Sequence, residues 1–246
     1  MTGRKLKFII LVSSVLVFLL ISAICVQGIL HTDDFDYRLA FGATILRLII
    51  LLVFQFFYYS SMFSGLGVDS AFLPLFVLST SVTELKILGL FTQVYSLCPF
   101  SPVYVSMFIE FNYIFSGLSL FCFSYFYQER EQSTANSFLL FSFLFSALIV
   151  YFLPRTQAIE SLASGLPFSI LLACVYTVAG ILALHHIVTD PPGTYLVRHF
   201  SALLFLAGNI VNLYFNTRVS ILVGTAYILV SYVSVIMISK VSDIKY

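Results

Sequence analysis

Tryptophan is missing from all 246 residues, charged side chains make up 9% of them, and cysteine occurs four times. Soluble domains carry about 25% charged residues, so the low charge density excludes an ordinary soluble globular chain. A net charge of +1 with no basic face excludes a nucleic-acid binder. Cys25, Cys98, Cys122 and Cys174 are scattered, with no CxxC pair and no metal-ligand spacing. Cys25 and Cys98 could meet near an outer face, but small apolar packing is the simpler role for all four. No HExxH, GxSxG, P-loop or GxGxxG occurs, which removes the commonest catalytic and nucleotide-binding signatures. No cofactor and no metal site is expected. The histidines His185, His186 and His199 flank a loop containing Asp190. Adjacent helical positions diverge by about 100°, a poor chelating geometry.

What is present is apolar: 60% hydrophobic residues, among them 27 phenylalanines and 15 tyrosines. Long apolar runs recur from end to end. They predict an all-α fold, a polytopic transmembrane helix bundle of about eight spans, with residues 1–246 as one integral membrane domain. The expected spans are about 8–30, 39–62, 71–97, 103–127, 137–153, 166–188, 199–215 and 219–239. The first follows Arg4, Lys5 and Lys7 and reads as an uncleaved span rather than a signal peptide, because its apolar stretch exceeds the usual h-region. Polar or turn-forming segments separate the others, for example His31–Asp36, Ser64–Gly67, Pro99–Pro102 and Thr189–Gly193.

In this layout Arg4, Lys5, Lys7, Arg130, Arg198, Lys240 and Lys245 fall on one side, against Arg38, Arg155 and Arg218 on the other. The positive-inside rule then places both termini in the cytoplasm. Tyr37, Tyr95, Tyr104, Tyr151 and Tyr214 fall near the outer boundary and Tyr58, Tyr59, Tyr125 and Tyr127 near the inner one, supplying the interfacial belt without tryptophan. Compactness points to a bacterial plasma membrane.

Four charges sit inside the expected spans: Arg47, Glu84, Lys86 and Glu110. Each costs roughly 2.5–3.5 kcal/mol on insertion scales, so the fold must compensate them. The stretch Ser79–Lys86 organises the chain, because Glu84 shares a helical face with Thr80 and Ser81 while Lys86 points about 200° away. Two polar faces on one span place that helix in the middle of the bundle. At about 1.5 Å per residue, Arg47 lies roughly 12 Å deep, Glu110 roughly 10 Å, Lys86 roughly 16 Å, Glu84 roughly 20 Å and Asn209 roughly 9 Å. Asn209 and Asn212 share a face, as do Ser106 and Glu110. The expectation is a neutral polar cluster of Arg47, Glu84, Lys86, Glu110, Asn209 and Asn212, with Arg47 paired to Glu84 or Glu110.

Such a cluster serves either as a buried ion-pair network that fixes helix register or as a binding site in the outer half of the bilayer. Function follows that choice. One expectation is binding or transport of a small solute or lipid. Another is a non-transporting sensor or assembly subunit with a partner membrane protein, since the short loops leave no room for an output domain. A third is a lipid-modifying enzyme using Glu84 or Glu110 as acid/base. The lipid bilayer is the one partner common to all three.

Overall fold

The computed structural model describes residues 3–59, 72–95, 101–125, 132–153, 166–189, 194–214 and 223–230. Among these the chain is helical, with no strand: α1 Gly3–His31, α2 Phe35–Tyr59, α3 Phe72–Thr83, a 3-10 turn Glu84–Lys86, α4 Ile87–Tyr95, α5 Pro102–Tyr125, α6 Gln132–Phe152, α7 Leu166–Thr189 and α8 Thr194–Tyr214. Residues 223–230 are also helical.

Five stretches are long and apolar enough to cross a membrane: Phe8–His31, Phe35–Phe57, Phe72–Thr92, Pro102–Tyr125 and Pro167–Thr189. The apolar parts of α6 and α8, Ser137–Phe152 and His199–Val211, are shorter than that, and of the expected last span only residues 223–230 are described. A backbone inside a bilayer must satisfy its own hydrogen bonds, which is why these apolar runs are helices.

The tight connection between α1 and α2 is built by local chemistry. The Asp36 N–H donates to Asp34 Oδ1 at 2.8 Å, capping α2. Arg38 Nε donates to the Thr32 carbonyl at 2.6 Å, and its Nη2 reaches Asp33 at 3.1 Å. The cap starts α2 at Phe35, four residues earlier than the apolar pattern suggests, and shortens the acidic loop to Thr32–Asp34. Beyond it α1 and α2 lie close. A β-carbon on Gly28 would stand 2.5 Å from the ring of Phe41, which is itself wholly buried.

Burial separates central helices from peripheral ones. The windows Phe72–Thr92 and Pro102–Tyr125 are each 72% buried, against 28% for Pro167–Thr189 and 33% for Phe8–His31. The α3–α4 unit packs against α1, α2 and α5, while α5 also carries α6, α7 and α8. Two apolar clusters fill the interior. One joins Ile21, Phe41, Leu48, Leu88, Ile109, Tyr113 and Leu172; the other joins Leu51, Phe54, Phe76, Val77, Leu120, Phe205 and Ile228. Hydrophobic residues gain little by leaving lipid for protein, so close packing and interhelical hydrogen bonds must hold the bundle. Gly117 of α5 accordingly admits Tyr176 and Val175 of α7 where a β-carbon would lie 2.5–2.7 Å away. Ser142 and Ser146 form the buried face of α6, and Ser142 Oγ lies 3.7 Å from Cys122 Sγ on α5. Cys25 and Cys122 are free, buried thiols, and Cys98 lies outside the described residues.

Candidate functional site: a buried ion pair beside a broken helix

The third span is not one continuous α-helix as its apolar run suggests. It breaks at Glu84–Lys86 into a 3-10 turn that separates α3 from α4. The run Ser79-Thr80-Ser81-Val82-Thr83 supplies the cause. Ser81 Oγ donates to the Val77 carbonyl at 2.9 Å and Thr83 Oγ1 to the Thr80 carbonyl at 2.7 Å. Side-chain bonds of this kind compete with the backbone ladder and bend helices. At the turn, the Ile87 N–H is shared between the Glu84 and Leu85 carbonyls.

Glu84 sits on this break, 2% exposed, and takes a two-pronged bond from Arg47 of α2. Arg47 Nε donates to Oε1 at 2.9 Å and Nη2 to Oε2 at 2.6 Å. Nη2 also donates to Thr44 Oγ1, one turn earlier on α2, at 3.1 Å. This fork matches guanidinium to carboxylate and is the strongest ion-pair geometry available to side chains. Both partners are buried, which the bilayer tolerates because the charges cancel. The guanidinium is not fully used: Arg47 Nη1 is buried and has no hydrogen-bond partner among the described residues.

The other expected members divide. Lys86, two residues after Glu84, is half-buried on the same break. Asn209 of α8 donates to Thr80 Oγ1 of α3 at 3.5 Å, linking a second helix to the serine–threonine run. Asn212 lies one turn further along α8, with its side chain outside the described set. Glu110 does not pair with Arg47. Its hydrogen bond comes from Ser106 Oγ, one turn away on its own helix, at 3.5 Å. Seven residues, two turns of helix, separate Glu110 from Gly117, where α5 meets α7. The polar groups therefore form two places, the Arg47–Glu84 pair at the break and the lone Glu110 carboxyl.

Sequence reasoning passed over Thr44 and the α5–α7 polar contact, in which Ser116 Oγ and Tyr176 Oη lie 3.2 Å apart and Tyr176 Oη donates to the Tyr113 carbonyl at 3.4 Å. Thr44 was accessible from its three-residue spacing to Arg47; Tyr176 carried no signal, since tyrosines in apolar spans are ordinary. The histidines at the α7–α8 end stack instead of converging, with the His186 and His199 rings 4.8 Å apart and 21° from parallel. Among the described residues, no group of three or more His, Cys, Asp or Glu could hold a metal.

No family model matches this chain, and no curated protein or solved structure matches it.

Proposed function

We propose that this protein is a multi-pass membrane protein that binds or transports a small solute or lipid headgroup at the Arg47–Glu84 site. The observation that carries the reading is a half-used guanidinium at a helix break. Arg47 Nη1 is buried without a partner among the described residues, while the rest of the group is clamped by Glu84 and Thr44. Interrupted helices recur where membrane proteins hold polar cargo. A mid-helix 3-10 turn is also a common hinge. A cargo offering an acceptor, such as a carboxylate, phosphate or carbonyl oxygen, would complete Arg47. It reaches Nη1 only when the helices around the break part.

The proposal includes eight spans, from the recurring apolar runs, with both termini in the cytoplasm of a bacterial plasma membrane, the sidedness resting on the basic-residue bias. The test is flux of small anions into proteoliposomes, paired with native mass spectrometry of gently purified protein. The expected result is uptake lost in Glu84→Gln or Arg47→Lys, or a bound small molecule or lipid released by the same changes. A co-purifying membrane partner with neither flux nor ligand would instead assign an assembly or sensor role.

A further inference from the structure

Two glutamates are buried among the described residues, and they stand in opposite chemical settings. Glu84 receives two guanidinium bonds at 2.6 and 2.9 Å. Glu110 is 8% exposed and receives a single long hydroxyl bond, 3.5 Å from Ser106. Neither Arg47 nor Lys86 forms an ion pair with Glu110 among the described residues. The elements packed around α5 carry further titratable residues: Glu84 and Lys86 on the 3-10 turn, Tyr151 on α6, Cys174, Tyr176, His185 and His186 on α7, and Tyr195, Arg198, His199 and Tyr214 on α8. Among the described residues, Ser106 alone supplies Glu110 with a hydrogen bond. One turn from Glu110 on α5 stand the buried Ser106, Tyr113 and Ile114 and the part-buried Met107.

An ionised carboxylate has about four lone-pair sites to satisfy and a full charge to desolvate. One serine hydroxyl meets neither demand. The neutral acid has one donor and less need of acceptors, so a serine that both gives and takes a hydrogen bond suits it. Glu110 lies about 12 Å along the axis from Pro102, and Ser106 sits one turn nearer that end, buried beside it. A proton leaving Glu110 toward the end of α5 meets the Ser106 hydroxyl first.

We propose that Glu110 is a proton-binding carboxyl of the membrane interior, separate from the Arg47–Glu84 pair, that holds its proton in the resting fold and exchanges it by way of Ser106. Embedded unpaired acids are a recurring device for proton uptake in membrane proteins. The assignment does not rest on the solute reading, because its readout is chemical modification and not flux.

A protonated acid in an apolar setting reacts with a membrane-soluble carbodiimide. The acid proton moves to a reagent nitrogen, the carboxyl oxygen adds to the central carbon, and an oxygen-to-nitrogen acyl shift leaves a stable N-acylurea. The whole reagent is retained, nothing leaves, and no oxidant or reductant is needed. The experiment treats the full chain in liposomes with dicyclohexylcarbodiimide near neutral pH and maps adducts by peptide mass spectrometry. The expected result is about tenfold more adduct on Glu110 than on Glu84, whose lone pairs are held by Arg47. That adduct should diminish as the pH is raised and be unchanged when sodium replaces choline. Asp33 and Asp34 at the α1–α2 turn, labelled by a water-soluble carbodiimide, show that the sample is reactive. Glu110 left unmodified, or modified no more than Glu84, or indifferent to pH, overturns the proposal. Protection by sodium overturns it as well, by assigning the carboxyl to a metal cation. Mapping is done on the unsubstituted protein, so the outcome is decisive even where Glu110→Gln fails to fold. Where that variant folds, loss of the adduct is expected.

Discussion

Arg47 is the residue on which most of the polar interior depends. It lies on α2 between the two apolar clusters, 3% exposed, and its charge is tolerable only through Glu84. Removing one partner leaves the other charge stranded, which costs about 3–5 kcal/mol for a buried pair. Arg47→Ala and Glu84→Ala should each lower stability by about that amount, read from unfolding in mixed detergent. Thr44→Val should cost about 1.5–3 kcal/mol, the value of one hydrogen bond to a charged group such as Nη2. The embedded charges were legible in the sequence, because four ionisable groups in long apolar runs are conspicuous. The rotation of α5 was not, and rotation decides that Glu110 bonds to Ser106 on its own helix while Glu84 alone meets Arg47. Spacing within a helix fixes which residues share a face; only packing against a neighbour, such as Gly117 against Tyr176, fixes where that face points.

At the scale of helices, the informative feature is the interruption between α3 and α4. Its cause lies in Ser81 and Thr83, whose hydroxyls bond back to carbonyls of the preceding turn. Local opening is favoured where the backbone ladder is weakest. Amides at the break should therefore exchange with solvent faster than those of Ile109–Tyr113 on α5, measured by hydrogen–deuterium exchange in detergent. Apolar periodicity could not reveal this break, since the run from Ala71 to Leu97 is hydrophobic throughout apart from its polar faces. Helix contacts make a second contrast. Gly117→Leu should disrupt the α5–α7 approach, at a cost of about 1–3 kcal/mol for overpacking. Gly180→Leu on α7 should be nearly neutral, because nothing lies within 4 Å of a β-carbon there. Thermal stability of the two variants, purified in parallel, checks the difference.

For the molecule as a whole, membrane character follows from composition and helix length together, and the central position of the charged span follows from its two polar faces. The windows spanning α3–α4 and α5 are the most buried of the five, as burial of those faces requires. The count of eight spans is proposed from the recurring apolar runs, and the side on which the ends lie from the basic-residue bias. Reporter tags at the two ends should respond alike to a membrane-impermeant quencher, both protected in sealed cells and both reached after lysis. One end protected and the other reached would mean an odd number of crossings. The claim beneath all of this is that opposite charges from separate helices neutralise each other inside the bundle, and reversing them tests it most directly. Arg47→Glu and Glu84→Arg, each alone, should abolish or sharply reduce folded protein, while the two together should restore most of it, with a coupling of about 3 kcal/mol. A double reversal no better than the worse single change, or an equal rescue by exchanging Arg47 with Glu110, would contradict that pairing.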